Sequence, residues 1–86
     1  MVDIRMYCTA FCPYCVRAEM LLKSKGVMDI DKIFIDNMPD GFQELSRLTG
    51  RRTVPQIYIG EQHIGGYDDL AALDRRGGLD PLLAAD

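Results

Sequence analysis

Three cysteines, Cys8, Cys12 and Cys15, crowd one short segment near the start of this 86-residue chain. A disulfide scaffold spreads an even number of cysteines along the sequence, and the loops this cluster closes are too small to staple a fold. In a reducing compartment such clustering points to redox chemistry or to metal binding. Cys12 and Cys15 flank Pro13 and Tyr14. If a helix begins there, the pair lies one turn apart, within the roughly 4.4–6.8 Å between Cα atoms that a disulfide requires. At a helix start, unpaired N–H groups and the positive end of the macrodipole favour a thiolate over a thiol. The expected pKa of Cys12 therefore lies below the free-cysteine value of about 8.5. Cys12 is then the nucleophile and Cys15 its resolving partner.

Two other readings compete. The cysteines can be inert buried residues, although a pair flanking Pro-Tyr at a helix start is an unusual place for that. Alternatively, Cys8, Cys12, Cys15 and His63 nominally supply four zinc ligands. Structural zinc sites usually join two separated ligand pairs, however, and Pro13 restricts the loop. Cys8 closes the first expected strand, where it packs as a small apolar residue or serves as a regulatory partner or oxidation site.

The elements that must position these thiols follow from the pattern. Val2, Ile4 and Met6 alternate with Asp3, Arg5 and Tyr7, as in a strand. Pro13 suits a first helical residue, Val16, Met20 and Leu21 recur at helical spacing, and Gly26 marks a stop. Residues 30–36 read as a second strand, short and largely buried. Asp40 and Gln43 have capping-box spacing, followed by Leu45 and Leu48 and a stop at Gly50. Residues 54–59 read as a third strand, Gly60 as a turn, and His63 and Ile64 as a brief returning strand. A last helix begins near Tyr67 or Asp68 and presents Leu70 and Leu73, and a turn with a short apolar tail follows. The βαβ half requires parallel strands with a right-handed crossover, whereas the tight turn at Gly60 makes the last pair an antiparallel hairpin. The expected fold is α/β and thioredoxin-like: a mixed four-stranded sheet flanked by three helices, in a single domain spanning residues 1–86.

Composition narrows the partners. The net charge of −3 argues against nucleic acid, whose binders present a basic face. No apolar run approaches the roughly 20 residues of a membrane span. The first residues lack a basic segment followed by an apolar signal core. A cytoplasmic monomer that engages neither nucleic acid nor membrane is expected.

Three blocks then resemble the glutaredoxin family. Cys12-Pro13-Tyr14-Cys15 is similar to the dithiol glutaredoxin motif. Thr53-Val54-Pro55 resembles the family's TVP segment, and Gly65-Gly66-Tyr67-Asp68-Asp69 its diglycine-acidic segment. They occur in the family's order, over nearly the whole chain. The resemblance implies a glutathione-disulfide oxidoreductase of the electron-transport and cell-redox-homeostasis kind, with glutathione as co-substrate and no metal. Its partners would be glutathione and disulfide-bearing or glutathionylated proteins. It also implies that Pro55 follows a cis bond and that Val54 offers its backbone to an extended peptide, glutathione, as in strand addition. The γ-glutamyl carboxylate would meet N–H groups at the start of the last helix, with Asp68 facing the ammonium group. Tyr14, Thr53, Val54, Pro55, Gly66, Tyr67 and Asp68 form the implied binding set. Many family members carry Lys three residues before the first cysteine, where this chain has Thr9. Arg17, Arg51 and Arg52 are the candidates for the missing charge. Within the family, two alternatives are a glutathione-ligated iron–sulfur cluster carrier, which Pro13 disfavours, and a redoxin reduced by thioredoxin reductase, which the Thr53-Val54 block disfavours.

Overall fold

The structure, a computed structural model, describes residues 2–84. The expected domain span of 1–86 also takes in Met1, Ala85 and Asp86, which lie outside the described residues. Strand β1 covers Ile4–Cys8, helix α1 Pro13–Ser24, β2 Asp31–Phe34, α2 Gly41–Thr49, β3 Gln56–Ile59, β4 Gln62–Gly65, α3 Tyr67–Arg75 and α4 Leu79–Ala84. One sheet forms in the order β2-β1-β3-β4. β1 runs parallel to β2 and antiparallel to β3, and β3 is antiparallel to β4. This is the thioredoxin-like mixed sheet expected from the order of elements.

Alternation along β1 sorts its side chains. Ile4, Met6 and Cys8 are buried on one face, where they join Ile57 and Ile59 of β3. α1, α3 and α4 cover that face with Cys15, Ala18, Leu22, Leu70 and Leu79. The opposite face carries Arg5 and Tyr7 against Tyr58, with the Arg5 guanidinium 4.9 Å from the Tyr58 ring centre and the Tyr7 ring edge-on at 6.0 Å. Burial of apolar area drives this arrangement at roughly 25 cal/mol per Å², and the two faces differ because the strand period is two.

Four expectations are corrected. The stripe that α1 buries is Cys15, Ala18 and Leu22, whereas Val16 and Met20 are exposed. Both sets have helical spacing, and only contact with the sheet selects between them. β2 is an edge strand whose Asp31, Lys32 and Phe34 face solvent, and it ends at Phe34 in a 3₁₀ turn, Ile35–Asn37, that buries Ile35. Asp40 precedes α2 in left-handed backbone geometry (φ 57°) and makes no side-chain cap hydrogen bond. Such a cap normally needs extended geometry at that residue. The apolar tail forms a fourth short helix, α4, whose Leu79 is fully buried.

Candidate active site

Register brings the three motif blocks to one end of the sheet. Tyr7, at the carboxyl end of β1, lies opposite Gln56, the first residue of β3, and Ile57 lies opposite Gly65, the last of β4. The loop leaving β1, the segment entering β3 and the start of α3 therefore share an edge. Side chains join them there. The Tyr14 and Tyr67 rings lie 6.3 Å apart, and Gly66 abuts the Pro55 carbonyl closely enough that a Cβ would come within 3.4 Å.

Cys12 is the N-cap residue of α1, with extended backbone (φ −142°, ψ 96°) and Pro13 opening the helix. Its carbonyl accepts from Val16 N–H at 3.1 Å, and its Sγ accepts from Cys15 N–H, also at 3.1 Å. The sulfur therefore takes the place that a Ser, Asp or Asn oxygen takes in an ordinary cap. Any negative charge on it would meet both a backbone donor and the helix dipole. Cys12 and Cys15 are joined as a disulfide with Cα atoms 5.1 Å apart. Cys15 is buried against the core and Cys12 is half-buried, so the first sulfur is the approachable one. Cys8 is a buried free thiol, and burial pushes its pKa up. It packs with Met6 and Leu22 in the core cluster, away from solvent. Among the described residues, no three metal-ligating side chains converge.

The Val54–Pro55 peptide bond is cis, as the resemblance implied. Val54 is half-buried and Thr53 exposed. Gln56, fully buried, donates from Nε2 to the Thr53 carbonyl (3.0 Å) and hydroxyl (3.3 Å). At the start of α3, Gly66 N–H donates to Asp69 Oδ2 at 2.9 Å, and Arg51 Nη1 reaches the same oxygen at 3.0 Å. The Gly66 bond first, and then Arg51, hold the Asp69 carboxyl below the usual range. The preceding glycine accommodates this. Gly65 has φ +117°, and a Cβ there would collide with the Asp69 carboxylate and stand 2.8 Å from Arg51 Nη1. Asp68 and the half-buried Tyr67 open the helix beside them.

The three candidate arginines separate. Arg17 lies over the Tyr14 ring at 5.2 Å, next to the disulfide loop. Arg51 is committed to Asp69, and Arg52 is exposed. Thr9 is half-buried, and the next backbone amide, Ala10 N–H, donates to Asp36 at 3.0 Å. Sequence reasoning assigned no role to Gln56, considered His63 only as a nominal zinc ligand, and placed Asp69 in the diglycine-acidic segment without a partner. An acid three residues after Gly66 was a usable signal for Asp69; for the other two, only the pairing of β3 with β4 shows the contact. A surface cavity of about 730 Å³ lies at the far end of the sheet, around Val2, Arg5, Val27 and Gly60, and no cysteine lines it. No helix among the described residues is long and apolar enough to cross a membrane.

A thioredoxin-like sheet carrying a cysteine pair at the cap of its first helix defines a thiol–disulfide oxidoreductase. The comparisons narrow the class. A family model described as Glutaredoxin matches residues 4–64. The chain is 54% identical over 85 residues to a glutaredoxin of Pseudomonas aeruginosa, covering 99% of this chain and 100% of that one. It is 53% identical over 83 residues to glutaredoxin 3 of Escherichia coli, covering 96% and 99%. Among solved structures, a buckwheat glutaredoxin–glutathione complex superposes with a TM-score of 0.86 at 34% identity, over 95% of this chain and 76% of that one. The glutaredoxin of Brucella melitensis gives 0.83 at 46% identity, over 96% and 89%. The chain belongs to the glutaredoxin family.

Proposed function

We propose that this protein is a glutathione-dependent oxidoreductase that reduces glutathione mixed disulfides and protein disulfides, acting as a cytoplasmic monomer. The observation that carries the reading is the Cys12 sulfur at the α1 cap, 3.1 Å from a backbone donor, on the same sheet edge as Val54 and the start of α3. Val54 would pair its backbone with the extended tripeptide, while Thr53 and Pro55 hold that segment. The N-terminal amides of α3, near Gly66, Tyr67 and Asp68, would receive the γ-glutamyl carboxylate, with Asp68 facing the ammonium group. Tyr14 would wall the pocket beside Tyr67, and Arg17 or Arg52 would meet the glycyl carboxylate. The structure of a family member with glutathione bound supports the ligand assignment.

On a glutathionylated protein, the Cys12 thiolate attacks the glutathione sulfur. The mixed disulfide breaks, the protein sulfur leaves as a thiolate and takes a proton, and Cys12 carries the glutathione. A second glutathione thiolate attacks that glutathione sulfur, which frees Cys12 and yields glutathione disulfide. On an intramolecular protein disulfide, Cys12 displaces one target sulfur and bonds to the other. Cys15 then attacks Cys12, releasing the target as a dithiol and forming the Cys12–Cys15 disulfide. Two glutathiones restore the dithiol by the same exchange. A stabilised Cys12 thiolate speeds the step in which it leaves, because leaving is faster from a low-pKa thiol. The test is a pair of variants assayed with glutathione and glutathione reductase. Cys12→Ser should abolish turnover of a glutathionylated peptide, and Cys15→Ser should keep it while failing on dithiol substrates. Equal loss in both variants overturns the scheme.

A further inference from the structure

Gln56 is the only buried polar or charged side chain among the described residues, and the exchange chemistry makes no use of it. Its amide is fully committed. Nε2 faces the Thr53 carbonyl at 3.0 Å and hydroxyl at 3.3 Å, and Oε1 meets His63 Nε2 at 2.7 Å. A carbonyl only accepts, so the NH₂ end must face Thr53 and the oxygen must face His63. His63 therefore carries its proton on Nε2, which fixes the tautomer. The imidazole is held in turn by stacking on Tyr58, with ring centres 5.0 Å apart. A chain of contacts thus runs from β4, through a buried amide, to the residue before Val54.

Peptide planarity gives this chain a consequence. The Thr53 carbonyl and the Val54 N–H belong to one rigid trans peptide unit and point in opposite directions. Drawing the carbonyl inward onto the buried Gln56 amide turns the Val54 N–H the opposite way, away from that amide. We propose that Gln56 and His63 are positioning residues that lock the Thr53–Val54 peptide plane, so that the Val54 backbone faces an extended glutathionyl ligand. The proposal rests on the glutathione reading above. Without the amide, the carbonyl loses its buried partner, and the plane can rotate toward orientations that do not pair with a ligand.

The experiment measures KM and kcat with a glutathionylated peptide, and separately the pH profile of Cys12 alkylation by iodoacetamide in the reduced protein. Gln56→Met keeps the side-chain length and removes all three hydrogen bonds. It should raise KM about tenfold, as expected for one forfeited buried bond, with kcat and the alkylation profile unchanged. His63→Leu should raise KM in the same direction by a smaller factor, and His63→Gln, whose amide can still donate to Oε1, should restore it. An unchanged KM in folded Gln56→Met overturns the proposal. So does a parallel shift of KM, kcat and alkylation, which would mean general disruption. If Gln56→Met does not fold, equal KM values for His63→Leu and His63→Gln overturn it instead. The parent protein provides the separate check on the reading beneath. No preference for the glutathionylated over the cysteinylated form of the same peptide would sink the glutathione assignment, and the positioning role with it.

Discussion

Replacing Asp69 by Ala should lower stability far more than replacing its ion-pair partner Arg51. One carboxylate oxygen receives both the Gly66 N–H at 2.9 Å and Arg51 Nη1 at 3.0 Å. The ion pair is the smaller contribution. Both side chains are 45% exposed, so solvent screening leaves about 0.2–1 kcal/mol. The bond to Gly66 satisfies a donor at the N-cap of α3 and places a negative charge against the positive end of the helix. Loss of such a hydrogen bond costs about 1 kcal/mol, and the charge adds about 0.3–1 kcal/mol, discounted toward the low end by exposure. Together Asp69→Ala should cost about 1.5–2.5 kcal/mol, which for a domain of this size lowers Tm by roughly 6–20 °C. Arg51→Ala should cost less than about 1 kcal/mol, and the double variant should cost little more than Asp69→Ala. Asp69→Asn keeps an acceptor for Gly66 and should fall between. Urea unfolding of the four variants and the parent at pH 7 and low salt measures these differences. The carboxyl is held below its ordinary range, so its contribution is present above the ordinary Asp value of about 3.9. It is lost as pH falls through the lowered value. The acid limb of the stability profile should therefore be shallower in Asp69→Ala than in the parent. Equal destabilisation by Arg51→Ala and Asp69→Ala would refute the assignment of the larger share to the Gly66 amide.

Other outcomes follow from the same structure. Iodoacetamide at pH 7 should label Cys12 of the reduced native protein and leave Cys8 unmodified until denaturant is added, since Cys8 is buried with its pKa raised; peptide mass mapping reads this. Leu22→Ala empties a fully buried place between α1 and the sheet and should cost about 2–5 kcal/mol in urea unfolding. Burial first, and Arg51 second, push His63 below the usual histidine range against an opposing pull from Asp69. The stability this contributes is present above about pH 6.5 and lost as pH falls through the lowered value, so His63→Gln should flatten the stability profile in that window.

The chemistry of the site was legible in the sequence because it is local. Cys12 and Cys15 stand one helical turn apart whatever the rest of the chain does, and Pro13 sets the helix start that makes Cys12 its cap. The order of strands and helices likewise dictated a parallel β1/β2 pair and an antiparallel β3/β4 hairpin, since connection length limits each choice. Selection among equivalent local patterns was not legible. Val16 and Met20 fit a buried stripe as well as Ala18 and Leu22 do, and only docking on Met6 and Ile57 settled which side faced inward. Asp40 and Gln43 fit a capping box until the turn at Gly41 placed Asp40 in left-handed geometry. The Thr53–Gln56–His63 chain and the Arg51–Asp69 pair depend on the register of β3 against β4 and on where α3 begins. Hydrogen bonds between residues distant in sequence carry no periodic signature, so the backbone had to be folded before those side chains could meet.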